Sequence, residues 1–164
     1  MSEPEFLPLA PGLRLAYEVR RAGGTQGLVV EHSAASDGGV IVRRTWTAED
    51  GAVQTESSRA ERRADGVYFD GELALPLPAR PGTSWSAPPR AYRVDALGAA
   101  AETPAGTFPG CLRVGYLIAA GDGGCGERLY APGVGLVREL CGDEADPFEV
   151  RLTAFSRRAA EAGR

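Results

Sequence analysis

The chain has 164 residues, 43% of them hydrophobic and 24% charged, a composition that supports one folded domain with a sizeable core. Its formal net charge of -4 disfavours nonspecific adhesion to nucleic acid or anionic lipid, either of which asks for a basic patch. No stretch approaches the roughly 18 apolar residues of a transmembrane helix, so no transmembrane segment and no nucleic-acid partner are expected.

The first residues, MSEPEFLPLAPG, carry two glutamates and no apolar run of signal-peptide length. As written the chain reads as cytoplasmic, or as periplasmic or envelope-associated if an export signal has been removed. From Leu13 the period becomes two. LRLAYEV sets Leu13, Leu15, Tyr17 and Val19 against Arg14, Ala16 and Glu18, the alternation of a sheet with one face on a core. GLVVEHS reads as a second strand and VIVRRTWT as a third, with Val40, Val42 and Trp46 on one side and Arg43, Thr45 and Thr47 on the other. The Asp50-Gly51 pair fits a two-residue hairpin turn. That register makes Val53 to Arg59 the return strand and sets Trp46 beside Thr55. The arginines of SSRAERR, Ser57 to Arg63, read as a solvated strand end.

VYFDGELAL follows as two short strands around a second Asp-Gly turn. The stretch from Pro76 to Pro89 holds five prolines and cannot lie inside a central strand, because proline has no N–H for a ladder. Trp85 and Leu77 make it a structured crossover rather than a flexible linker. RAYRVDAL and CLRVGYLI resume the alternation, with TPAGTFPG breaking the ladder between them, and CGERLY, LVREL and FEVRLTAF complete a meander. Only SRRAAEAGR at the end has helix-favouring composition, and it reads as a frayed turn or tail. The expectation is a mainly β fold, a strongly curved antiparallel sheet or partly closed barrel of roughly ten strands with mostly meander connections and little helix. Residues 1–157 form one domain on this reading, with 158–164 a short tail.

Candidates for chemistry are few. His32 stands between Glu31 and Ser33, but neighbours in a strand face opposite ways, so EHS is no catalytic group and His32 reads as an ordinary strand-end residue. One histidine and three unclustered cysteines define no metal cage, and GDGGCGE, Gly121 to Glu127, lacks the ligand series of a calcium loop. No phosphate-binding loop is present, and no cofactor is expected. Cys111, Cys125 and Cys141 read as reduced, partly buried thiols; the alternatives are a Cys125–Cys141 bridge in an oxidising compartment, since an in-register hairpin about APGVG sets those two opposite, and a reactive thiol. What remains is shape: a curved sheet encloses a cavity or groove. Tyr17, Trp46, Tyr68, Trp85, Tyr92 and Tyr116 are the candidates for its lining.

Four stretches, FLPLAPGLRLAYEV, LPLPARPGTSW, ETPAGTFPGCLRV and RLYAPGVGLVREL, resemble a family of small, mostly uncharacterised bacterial β-rich proteins, usually exported or lipid-anchored. That family is similar in architecture to the lipoprotein-carrier half-barrels. The resemblance runs from about Phe6 to Phe155, with Pro104, Gly106 and Phe108 matching a turn into a strand. Tyr130, Pro132, Gly133, Gly135 and Val137 match the signature reversal. It implies a curved antiparallel sheet and carries over no catalytic set. Two functional classes follow: a non-catalytic binding or structural module for an apolar ligand or a partner protein, and alternatively a small hydrolase-like enzyme with polar residues such as Ser33, Asp37 and Glu127 converging from separate strands.

Overall fold

The computed structural model describes residues 3–120 and 123–158, so most of the SRRAAEAGR segment and part of GDGGCGE lie outside the described residues. Twelve strands form one antiparallel sheet, and among the described residues there is no helix. In chain order they are β1 (Leu13–Arg21), β2 (Gly24–Ala34), β3 (Val40–Thr47), β4 (Val53–Arg63), β5 (Gly66–Phe69), β6 (Glu72–Pro76), β7 (Ser84–Ala87), β8 (Arg90–Thr103), β9 (Gly106–Ile118), β10 (Gly124–Ala131), β11 (Gly135–Cys141) and β12 (Phe148–Arg157).

The spatial order is β6-β5-β4-β3-β2-β1-β12-β11-β10-β9-β8-β7. Two six-strand meanders are therefore joined where the first strand meets the last. The two sheet edges, β6 and β7, are consecutive in the chain and contact each other, linked through residues 77–83. The result is a strongly curved, nearly closed barrel whose seam is bridged covalently rather than by a ladder. The proline-rich crossover spans that seam. Trp85 and Ala79 pack there against a core of Leu75, Tyr92, Val94 and Leu112, the burial that makes this stretch structured.

Of residues 3–12, Phe6 to Ala10 lie against the interior. Phe6 packs with Leu75 of the first meander and with Tyr92 and Val94 of the second, while Leu9 packs with Val40, Val42 and Ala60 of the first. The segment thus straps the two meanders together. Its hold on the signature reversal is a backbone hydrogen bond, the Gly133 N–H donating to the Glu5 carbonyl at 2.8 Å.

Several registers differ from expectation. The Asp50-Gly51 hairpin has a three-residue loop closed by Ala48 and Ala52, with Gly51 at φ +87°. A left-handed glycine at the third loop position is the alternative way to reconcile a hairpin with strand twist. It moves the pairing by one, so Trp46 opposes Gln54 and Thr45 opposes Thr55. In the β10–β11 hairpin a bulge between Leu129 and Tyr130 places Val137 without a partner and sets Cys141 opposite Gly126. Cys125 is consequently on the other face, exposed, while Cys141 is buried, and all three cysteines are free. Pro109 does not end the ladder either. The β8–β9 hairpin turns at Pro104 and Ala105 and runs on past Pro109, because a register shift between Ala99 and Ala101 accommodates the missing N–H.

Candidate functional site

Inside the curve lies a cavity of about 390 Å³ that opens to solvent. Its walls follow from strand alternation. Leu13, Leu15, Tyr17 and Val19 descend β1 on the inner face, and Leu28, Val30 and His32 do the same on β2. The strap contributes Leu7 and Pro8, and the signature reversal contributes Val134 and Gly135. APGVG is thus more than a turn: three residues separate the paired Ala131 and Gly135, and the buried Val134 projects from this loop into the wall. The Tyr17 hydroxyl donates to the Leu136 carbonyl at 2.6 Å and pins β1 to β11 across the interior. Burial, with Tyr130 nearby, raises the Tyr17 pKa, which keeps the phenol a neutral donor.

Of the six aromatic residues expected to line a cavity, the structure places Tyr17 and Trp46 at this one and Tyr92 at a separate surface pocket beside Phe69 and Leu73. Trp85, Tyr92 and Tyr116 form an aromatic row beside the main cavity, Trp85 stacked on Tyr92 with ring centroids 5.2 Å apart and Tyr116 tilted against Tyr92 at 5.5 Å. Tyr68 is elsewhere, its hydroxyl donating to Asp65 and its ring under Arg63.

Strand arithmetic on apolar residues alone passes over the charged residues of the wall. Arg44, Arg90, Arg128 and Glu139 all line the cavity. Glu139 is 5% exposed and accepts hydrogen bonds from the Tyr116 hydroxyl at 2.7 Å and the Arg128 Nε at 3.0 Å, with Arg90 3.9 Å away. Both guanidinium groups also lie over aromatic rings, Arg90 over Tyr116 and Arg128 over Tyr92 and Tyr116. Burial and then the Glu139 charge raise the Tyr116 pKa, so this hydroxyl stays a donor. The Tyr116 ring reaches Glu139 by crossing Gly126, where any Cβ would overlap it. A signal for these arginines existed: Arg44 shares its period-two face with Val42 and Trp46, Arg90 with Tyr92, and Arg128 with Tyr130.

Arg44 has no carboxylate partner among the described residues. It donates to the Ser58 hydroxyl at 2.9 Å and lies 5.5 Å over the Phe69 ring. His32 is buried, and its Nδ1 has no hydrogen-bond partner among the described residues. Burial, reinforced by Arg44, lowers its pKa to about 4, so it is neutral at pH 7.

The polar residues offered for an enzyme are not brought together. Ser33 is exposed, Asp37 pairs with Arg59 at 2.8 Å, and Glu127 pairs with Arg113 on the other half of the sheet. Arg62 and Arg63 of the arginine-rich strand end pair with Glu5 and Glu61. Among the described residues no group of three or more His, Cys, Asp or Glu could hold a metal ion.

No protein-family model and no curated protein matches the chain. Solved structures do. The chain is similar to a candidate lipoprotein from Parabacteroides distasonis, with 16% identity and a TM-score of 0.60, over 95% of this chain and 100% of that one. It is similar to a candidate exported protein with a YmcC-like fold from Bacteroides fragilis, with 16% identity and a TM-score of 0.62, over 94% and 100%. It also resembles a chain of the Pseudomonas aeruginosa MucA/MucB complex, with 15% identity and a TM-score of 0.51, over 92% of this chain and 53% of that one. At these identities the likeness is one of fold, that of small β-rich bacterial proteins. The expectation of a cytoplasmic protein is corrected by it, because the two full-length likenesses are a candidate lipoprotein and a candidate exported protein. That expectation rested on the composition of the first residues, which carries no weight about compartment.

Proposed function

We propose that this protein is a non-catalytic binding module of the bacterial envelope or periplasm that holds an apolar ligand in the cavity of its curved sheet. One observation carries the reading: the apolar inner faces of β1, β2 and β3 converge on an open space of about 390 Å³, within the ~300–1,000 Å³ range of small-molecule sites. A ligand is favoured over a partner protein because the continuous apolar surface faces inward. The large exposed apolar side chains, Val53, Leu97, Leu117, Leu140 and Phe155, are spread over five different strands. In this reading Tyr17 and Trp46 form the aromatic wall, while Trp85, Tyr92 and Tyr116 support the charged group beside it. The full-length likeness to a candidate lipoprotein and a candidate exported protein supports the compartment.

Titration with the fluorescent apolar probe N-phenyl-1-naphthylamine tests the reading. Saturable, blue-shifted emission is expected for the native protein, and Val30→Trp, which fills the cavity from β2, should weaken binding at least about tenfold. Absence of saturable binding, or equal affinity in the folded variant, would end it.

A further inference from the structure

The charges inside the barrel are unbalanced in a direction opposite to the molecule as a whole. The chain carries a net charge of -4, yet its cavity is walled by three guanidinium groups, Arg44, Arg90 and Arg128, that have one buried carboxylate, Glu139, between them. Two other charged residues reach the wall. Arg21 is neutralised by Asp146 at 2.6 Å, and Glu56 is exposed at the rim. Glu56 opposes Arg44 across the β3–β4 ladder, but Arg44 turns to Ser58 and Phe69 instead of pairing with it.

Arg44 is half-buried on the wall of this cavity, and an anion entering from outside gives its guanidinium the counter-charge that its own strand neighbours do not supply. Arg44 is placed to receive one, since a guanidinium has five N–H donors in a fork that matches a carboxylate or phosphate, and among the described residues only one of them is engaged. Beside it on the same inner face is His32, whose buried Nδ1 is unpartnered. The rest of that wall, Leu28, Val30 and Val42, is apolar. From this juxtaposition we infer that the ligand is an anionic amphiphile, its head group paired with Arg44 and its chain lying along the apolar faces of β1 and β2. The inference rests on the cavity reading above and narrows it to one chemical class.

The test uses dodecyl compounds below their critical micelle concentrations, each displacing N-phenyl-1-naphthylamine: dodecanoate, dodecyl phosphate, neutral dodecyl maltoside and cationic dodecyltrimethylammonium. One or both anions should bind at least about tenfold tighter than the maltoside, the equivalent of one charge-assisted hydrogen bond, with the cation weakest. Which anion binds better separates a carboxylate from a phosphate head. Arg44→Gln should abolish the preference, so that anionic and neutral compounds bind this variant alike, and Arg44→Lys should restore part of it. Equal binding of anionic and neutral compounds would overturn the inference while the cavity reading stands. An anion preference that persists in Arg44→Gln would overturn the placement of the head group. Failure of every dodecyl compound and of the probe to bind would remove the cavity reading itself.

Discussion

His32 shows what a single inward side chain contributes in this fold. Alternation along GLVVEHS placed it on the face opposite Glu31 and Ser33, and that is where it lies: Glu31 pairs outward with Arg43 at 3.3 Å while the imidazole is buried. Its burial was not legible, because the strand pattern does not reveal that the sheet curls around the inner face of β2 to enclose the cavity that His32 lines. The consequence is a pH dependence with a defined sign. The folded-state pKa is about 4 against 6.5 for the unperturbed group. Between those values the unfolded chain takes up a proton that the folded chain refuses, so stability falls as the pH drops from 6.5 to 4 and the contribution levels off on either side. The full effect is on the order of 3 kcal/mol at about 1.36 kcal/mol per pKa unit. Denaturant titrations at pH 7 and pH 4.5 should show His32→Phe losing less stability on acidification than the native protein. Equal losses would contradict the assignment. Glu139 is the converse case: nothing in LVREL marked its glutamate as buried, since its partners Tyr116, Arg128 and Arg90 come from three other strands.

Hairpins decide how far the sequence can be read. The two Asp-Gly pairs look alike, yet Asp70-Gly71 forms a two-residue turn with both residues at positive φ, +50° and +81°, whereas Asp50-Gly51 sits in a three-residue loop. Strand identity survives the difference and register does not, since one extra loop residue reverses which side chains oppose each other. The same arithmetic separates Cys125 from Cys141, where the bulge at Leu129 and Tyr130 adds the residue. In the signature reversal, Gly133 and Gly135 have φ of +72° and +111°. A β-branched residue there is strained by about 1–3 kcal/mol, so Gly133→Val and Gly135→Val should each lower the melting temperature. Gly135→Val should cost more, because Gly135 is buried within 4 Å reach of Pro8 and Leu15. Unchanged melting of both variants would show that the loop tolerates right-handed angles.

At the scale of the whole molecule the strand content, the meander and the strong curvature were legible from period and turn chemistry, while the pairing of β1 with β12 was not. That ladder joins segments more than a hundred residues apart, and no local pattern encodes it. Two core clusters set thiol reactivity: Cys111 is buried in one and Cys141 in the other, while Cys125 is exposed. Native protein should react with a disulfide reagent such as Ellman's at one thiol, identified as Cys125 by peptide mapping, and at three after unfolding. Rapid modification of Cys111 or Cys141 in the native state would contradict the packing. Closure of the barrel is also uneven around its circumference. Every neighbouring pair of strands is held by a ladder except β6 and β7, which share side-chain contacts and the tether of residues 77–83. A fully laddered barrel has its bore fixed by strand number and stagger. Here one joint is held by side-chain packing, Phe6 of the strap included, and by the tether rather than by a ladder, so widening the barrel there gives up packing along a single line instead of a row of strand-to-strand hydrogen bonds.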